Sequence, residues 1–169
     1  MSDGKVGWRQ QAPELLQFLD ESLNLRLRLH DDVLGHAIYF VDLSDWKLRF
    51  SDRTPFIWVP ADEAENGSRE LVRTLLDVIQ ARDLVERNPV VLIEGSGQEL
   101  VTAFKNLLMP VLVLDQDDQQ TILKSRHPAA DLMRRLAEQV ELSLLVPYET
   151  SKPVTGSRFF GREADVRRI

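Results

Sequence analysis

Three acidic residues follow directly after two apolar segments of this sequence. Glu94 comes after Pro-Val-Val-Leu-Ile at 89–93, and Asp115 and Asp117 come after the apolar run that ends at Leu114. The ends of buried strands are where α/β domains carry their functional groups. Clustered carboxylates bind Mg²⁺, because hard cations prefer oxygen ligands, and bound Mg²⁺ supports phosphoryl transfer. The pattern makes Glu94, Asp115 and Asp117 candidate metal ligands of a nuclease.

The order Glu-Gly at 94–95 and Asp-x-Asp at 115–117 resembles the metal-binding pattern of Toprim nucleases and primases. In that family a further strand and helix lie between the two motifs, whereas about twenty residues separate them here, which is room for one helix. The spacing therefore favours another interpretation, in which these carboxylates cap helices, because helix N-termini attract side-chain acceptors and negative charge. The nuclease hypothesis is kept as an alternative.

Other residues with catalytic potential form no coherent set. His30, His36 and His127 are scattered and lie beside no nucleophile in the sequence. Ser96 lies in Glu-Gly-Ser-Gly, which is not the Gly-x-Ser-x-Gly of a nucleophile elbow. These residues give no prediction of an enzyme.

A small-ligand receptor is a further hypothesis. A nucleotide or second messenger would bind at strand ends around Asp42, residues 95–97 and residues 115–118. The acidic character of that rim disfavours an anionic ligand. This hypothesis is therefore weaker than the others.

The elements that position these residues follow from the spacing of apolar side chains. Short apolar runs at 89–93, 110–114 and 142–146 alternate with stretches that have apolar residues at helical spacing. Upstream, 37–41 reads as a strand and 55–60 as a short apolar run. Strands that are apolar on both faces belong to a parallel sheet covered by helices. We predict an α/β fold of Rossmann-like type, with a mostly parallel sheet, helices on both faces and an irregular N-terminal elaboration.

The predicted helices are defined by their apolar positions. The first carries Leu71, Leu75, Val78 and Ile79, the second carries Leu100, Phe104, Leu107 and Leu108, and the third carries Leu132, Met133, Leu136 and Val140.

The composition excludes several kinds of protein. The chain has 169 residues, no cysteine and a formal net charge of -6. The absence of cysteine excludes disulfides, thiolate catalysis and cysteine-based zinc sites. The negative charge disfavours nucleic-acid binding, which needs clustered Lys and Arg. The longest apolar runs are far shorter than the roughly 20 residues of a membrane span. We therefore expect a cytoplasmic protein with neither a membrane nor a nucleic-acid partner.

The last residues differ in character from the rest of the chain. Residues 149–156 are polar and contain a proline and a glycine, as linkers do, and Phe160-Gly161-Arg162-Glu163 follow them. This order resembles the segment that opens the ATPase module of AAA-type and STAND-type signalling ATPases. The resemblance implies that a helix begins at Glu163, and that residues near the motif contact the adenine side of ATP.

The phosphate-binding loop of such an ATPase is missing from this sequence. No Gly-x-x-x-x-Gly-Lys-Ser/Thr occurs in the 169 residues, and phosphate binding needs that glycine-rich turn and its lysine. We expect an N-terminal domain at 1–148, a linker at 149–157 and the start of an ATPase module at 158–169. The chain alone would use no cofactor and hydrolyse no ATP, whereas ATP and Mg²⁺ would serve the full-length protein.

The favoured hypothesis is a non-catalytic sensor or protein-interaction domain of a STAND- or AAA-type ATPase. The resemblance implies a role in bacterial signalling or defence. Its partners would be the ATPase module in cis and a second protein or another copy of the chain. A Toprim-like nuclease and a small-ligand receptor are the alternatives.

Overall fold

The computed structural model describes residues 11–23, 26–44, 53–65, 68–84 and 87–139, with backbone alone at 28–30 and 68. These ranges all belong to the unit formed by residues 1–139. Within them the chain forms five strands: β1 Leu27–Val33, β2 His36–Val41, β3 Thr54–Val59, β4 Val90–Ile93 and β5 Leu112–Leu114. Six helices lie in the same ranges: α1 Glu14–Ser22, α2 Ala61–Ala64, α3 Ser68–Ala81, α4 Gln98–Asn106, α5 Gln116–Leu123 and α6 Pro128–Gln139. The expected linker, the expected ATPase start and the apolar run at 142–146 lie outside the described residues.

The five strands form one mixed sheet in the order β1-β2-β3-β4-β5. β1 and β2, like β2 and β3, pair antiparallel, whereas β3, β4 and β5 are parallel neighbours. The α/β class is confirmed, but the prediction of a mostly parallel sheet is wrong. The irregular N-terminal elaboration is also wrong, because the N-terminal half supplies three of the five strands.

The turn between β1 and β2 explains the antiparallel half of the sheet. It consists of Leu34 and Gly35, whose φ angles are 54° and 82°. Two residues with positive φ are typical of the type I′ turn, whose usual sequence is Asn-Gly or Asp-Gly. Such a short connection joins only antiparallel strands, since parallel strands need a long crossover. This turn was not predicted from the sequence, because leucine rarely adopts the positive φ that Leu34 has here.

The order of the strands also departs from the Rossmann-like prediction. Each described strand lies beside its neighbour in sequence, so the strand order shows no reversal. In doubly wound folds the reversal creates the crevice in which ligands bind. The two crossovers of the parallel half, β3 to β4 and β4 to β5, advance in one direction and place α3 and α4 on one face.

The core occupies both faces of the sheet. One face packs against α3 and α4, and its buried sheet residues are Ile38, Phe40, Ile57, Val59, Val91, Ile93 and Val113. Successive side chains of a strand point to opposite faces. The alternate positions Phe56, Val90, Leu92, Leu112 and Leu114 are also buried, so the second face is covered as well. The buried leucines of α1 and α6 are not part of the cluster on the first face, and α6 contacts both α5 and β5.

The second predicted helix is confirmed only in its first half. Leu100 and Phe104 of α4 are buried, but Leu107 and Leu108 are 50% and 80% exposed. The helix ends at Asn106, and Leu108 has a φ of 53°. The N–H of Met109 then donates to the carbonyl of Phe104 at 3.0 Å, as at many helix C-termini. The two leucines therefore leave the buried face.

Candidate functional site

The strand register decides which candidate residues share an edge of the sheet. Val59 pairs with Ile93, and Leu92 pairs with Leu114, so the carboxyl ends of the parallel strands lie level with each other. β2 runs in the opposite direction, and its last residue Val41 pairs with Thr54 at the start of β3. Asp42 therefore lies at the opposite edge from Glu94 and Asp115. The predicted receptor site, which combined Asp42 with residues 95–97 and 115–118, is therefore not formed.

Asp115 caps the helix that follows it. Its Oδ1 accepts from the N–H of Asp118 at 2.9 Å, and the Asp118 carboxylate accepts in return from the N–H of Asp115 at 3.4 Å. This reciprocal pair is a capping box with aspartate at both positions. Arg135 of α6 donates to the same Asp118 carboxylate. Burial, and next the charge of Asp115, raise the pKa of Asp118 against the lowering effect of Arg135.

Glu94 accepts a hydrogen bond from another helix, and Asp117 is exposed to solvent. The Glu94 carboxylate accepts from the N–H of Ala61 at 3.2 Å, at the first residue of α2. Glu94 thus caps a helix that precedes it in sequence rather than the one that follows. Asp117 lies exposed in the first turn of α5. Among the described residues, no three His, Asp or Glu side chains are grouped so that they could hold a metal ion.

Gln119 joins the carboxyl ends of β4 and β5, and sequence reasoning missed it. This side chain is buried, and its Nε2 donates to the carbonyls of Ile93 and Leu114, each at 3.0 Å. A buried amide in the middle of a polar helical turn gives no periodic signal. Its position four residues after the Asp115 cap is the one hint that the sequence offers.

Close packing explains the glycine at position 97, after β4. A Cβ on Gly97 would lie 2.9 Å from Val113 Cγ1 and 3.0 Å from Asp115 Cβ. The carbonyl of Gly95 accepts from the N–H of Gln116 at 3.1 Å, which ties the loop to the start of α5. Ser96 is exposed in this loop. The Gly-Ser-Gly segment therefore fastens neighbouring elements together at the carboxyl edge.

The outer edge of β5 is occupied by a side chain of α6. The Gln139 amide accepts from the N–H of Val113 at 2.7 Å and donates to the carbonyl of Val113 at 2.6 Å. A side-chain amide that bonds both groups of one residue takes the place of a neighbouring strand. Edge strands are otherwise open to pairing with other chains. Gln139 therefore covers this edge.

His36 lies at the carboxyl edge on the side of β2. It is 5% exposed, and its Nδ1 lies 3.2 Å from Glu63 Oε2. The two groups are within ion-pair distance, and Nδ1 has no hydrogen-bond partner in the described part of the chain. His127 is exposed, and the side chain of His30 lies outside the described residues. The backbone N–H of His127 donates to the Oγ of Ser125 at 2.9 Å, but neither described imidazole, that of His36 or that of His127, makes a hydrogen bond to a hydroxyl among the described residues.

A surface depression lies along helix α3. A shallow depression of about 610 Å³ is lined by Arg69, Glu70, Arg73, Thr74 and Asp77. All five residues belong to α3, so no second element closes the depression.

None of the helices in the described ranges is long and apolar enough to cross a membrane.

Comparison with known proteins adds no relative. No family model, no curated protein and no solved structure matches this chain. The motif Phe160-Gly161-Arg162-Glu163, which resembles the opening of an ATPase module, lies outside the described residues.

Proposed function

We propose that this chain is a non-catalytic interaction domain that regulates an adjoining ATPase module of STAND or AAA type. The observation that carries this proposal is the order of the C-terminal motifs. A polar linker at 149–157 precedes Phe160-Gly161-Arg162-Glu163, which has the order of residues that opens such modules. Under this proposal ATP and Mg²⁺ bind to the adjoining module.

The arrangement of the acidic residues supports a binding role over a nuclease role. Asp115 forms a capping box with Asp118, and Glu94 binds the first N–H of α2. A carboxylate that ligates Mg²⁺ must present its oxygen to the metal. A nuclease would need Glu94, Asp115 and Asp117 to converge on one metal ion, whereas the described residues contain no group of three such side chains. A binding domain needs no such convergence.

In this proposal the linker carries the signal between the two modules. A partner that binds residues 1–139 would alter how the segment around Phe160 contacts the nucleotide. A ligand can shift such an equilibrium only by the difference in its affinity for the two states. The expected behaviour is an ATPase rate that changes when the partner binds.

The test uses the chain together with the sequence that follows it in its gene. That sequence must supply Gly-x-x-x-x-Gly-Lys-Ser/Thr, and its absence would refute the proposal. Phe160→Ala should then alter ATP hydrolysis and its regulation while the thermal unfolding of the N-terminal domain stays unchanged. Glu21→Gln, at an exposed position of the N-terminal domain, is the control and should leave both unchanged. Unaltered hydrolysis and regulation in the Phe160→Ala protein would contradict the coupling.

A further inference from the structure

Two consecutive leucines are exposed at the edge of the sheet where β5 begins. Leu107 and Leu108 follow helix α4 and are 50% and 80% exposed. Met109, the next residue, is partly buried and packs against the core, so the chain turns back directly after the leucines. Single apolar residues are common on protein surfaces, whereas an adjacent pair on one turn forms a small apolar tip.

Backbone hydrogen bonds hold the turn that carries these leucines. The N–H of Leu107 donates to the carbonyl of Ala103, and the N–H of Met109 donates to the carbonyl of Phe104, each at 3.0 Å. Leu108 has a φ of 53° at the position after a helix where glycine is usual. Leucine is strained in this conformation and gains no burial there. Its presence favours a contact outside the described domain.

Exposed bases accompany the leucines. The connection from α4 to β5, residues 105–111, and the connection from α5 to α6, residues 124–127, contain no acid. Their Lys and Arg residues are Lys105, Lys124 and Arg126. All three are exposed and have no side-chain partner among the described residues. We call these two connections the basic tip.

The topology places both connections of the basic tip at the amino edge of the parallel strands. The first leads directly into β5 at Leu112. Helix α5 starts after Asp115 at the carboxyl edge, and its eight residues extend about 12 Å towards the other edge. The ion pair between Asp118 and Arg135 ties α6 back along α5, so the turn between these helices lies at the far end.

The charge of the basic tip is spread along this edge rather than gathered in one pocket. α4 contributes Leu100 and Phe104 to the cluster on the first face of the sheet, whereas no residue of α5 or α6 belongs to that cluster. The bases therefore come from turns on separate parts of the domain. Such a distribution suits an extended anionic surface better than a single pocket.

We propose that the basic tip binds the surface of an anionic phospholipid membrane. Leu107 and Leu108 enter the apolar boundary below the headgroups, and the bases lie among the phosphates. Apolar residues combined with Lys and Arg give this kind of interfacial binding. The expectation of no membrane partner rested on the length of apolar runs, which concerns spanning segments and not surface attachment. This inference goes beyond the proposed function.

Other occupants fit the basic tip less well. A second copy of the tip would bring like charges together. Nucleic acid would match the bases but would offer no apolar medium to the leucines. An acidic protein would need a pocket for the turn at Leu108 together with acids spaced for both connections. A lipid surface is continuous and deformable, so it needs no such match.

The net charge of -6 does not oppose this orientation of the domain. The exposed acids Asp62, Glu65 and Asp117 lie at the carboxyl edge. The six residues of β3 span the distance between the edges, which is about 20 Å. Charges are largely screened beyond roughly 8 Å at physiological salt. The neighbouring connection at the amino edge, residues 82–89, has two bases and two acids and adds no net charge.

The first test compares two variants of the full chain that have the same net charge. The tip variant replaces Lys105, Lys124 and Arg126 by Gln. The control replaces Arg69, Arg73 and Arg134 by Gln, three exposed bases outside the basic tip. Binding to vesicles of phosphatidylserine and phosphatidylcholine in equal parts is measured by cosedimentation, with vesicles of phosphatidylcholine alone for comparison.

The unchanged chain should bind the mixed vesicles at millimolar lipid and should not bind phosphatidylcholine alone. Each Lys or Arg near an anionic surface strengthens binding about fivefold, so the tip variant should bind on the order of a hundredfold more weakly. The control should lose no more than about twofold. No binding by the unchanged chain, or equal weakening in both variants, would overturn the inference. Binding of a Glu-Leu-Gly peptide without binding of vesicles would also overturn it, in favour of an acidic protein.

Leu108→Gly provides a second test that separates binding from folding. Glycine is favoured at this position after a helix, so the unfolding temperature should not fall. The same substitution should weaken vesicle binding about tenfold, because an inserted apolar side chain is lost. A stable variant that binds the mixed vesicles as tightly as the unchanged chain would refute the insertion of Leu108. The effect of Phe160→Ala on ATP hydrolysis is measured without lipid, so failure of this inference leaves the proposed function untouched.

Discussion

Replacing Gln119 by methionine should loosen the carboxyl edge of the parallel strands. Its Nε2 makes two hydrogen bonds of 3.0 Å, to the carbonyls of Ile93 and Leu114. Methionine has a similar volume but donates no hydrogen bond, so packing is nearly conserved while both bonds are lost. A buried hydrogen bond contributes about 0.5–1.5 kcal/mol to stability, which gives a loss of about 1–3 kcal/mol.

Urea unfolding followed by circular dichroism measures this loss. With a slope of about 2 kcal/mol per molar urea, the midpoint should fall by roughly 0.5–1.5 M. Gln116→Met is the matched control, because Gln116 lies on the same helix and its side chain is exposed. It should change the free energy of unfolding by less than about 0.5 kcal/mol. Equal effects of the two substitutions would refute the reasoning, since the burial of Gln119 would then have no consequence.

Three further substitutions test other contacts, at the carboxyl edge of the sheet and at the outer edge of β5. Gln139→Ala should lower the free energy of unfolding by about 1–2 kcal/mol. It should also speed hydrogen exchange of the Val113 amide proton, measured by NMR, and unchanged exchange would show that Gln139 does not protect the outer edge of β5. Gly97→Ala should cost about 1–3 kcal/mol in urea unfolding, because its Cβ would lie 2.9 Å from Val113 Cγ1, and an unchanged midpoint would contradict that contact. The raised pKa of Asp118 means that the folded state holds this proton more tightly, so its ionisation lowers stability as pH rises from the usual 3.8 through the raised value. Asp118→Asn should flatten that part of the pH profile of unfolding, and an unchanged slope would assign it to other groups.

The parallel half of the sheet could be predicted from the sequence because its strands are continuously apolar. The runs at 89–93 and 110–114 correspond to β4 and β5, and the helix with Leu71, Leu75 and Val78 corresponds to α3. Continuously apolar runs of this length are typical of strands that are buried on both faces of a sheet.

The β1–β2 hairpin and helix α5 were not predicted from the sequence, and each failure has a physical reason. The β1–β2 turn has leucine where the turn geometry favours asparagine, so local chemistry pointed away from a hairpin. Helix α5 was not predicted because it buries Gln119 and Ile122 alone, too few apolar residues for a helical period. Its signal was the Asp115 and Asp118 capping box, which uses aspartate where the usual motif has glutamate or glutamine.

The capping interpretation of the strand-end acids came closer to the structure than the metal interpretation did. Asp115 caps the helix that follows it, as spacing suggested. Glu94 caps α2, which precedes it by more than thirty residues. That contact depends on the parallel pairing of β3 with β4, and no local pattern contains this information.

The order of the strands has a consequence for how the domain is made. Each of the five described strands pairs with strands adjacent to it in sequence. The sheet can therefore grow from one side as the chain leaves the ribosome, and no strand has to wait for a distant partner. Pairing between sequence neighbours lowers contact order and speeds folding. It also shortens the time during which a strand edge is exposed to other nascent chains.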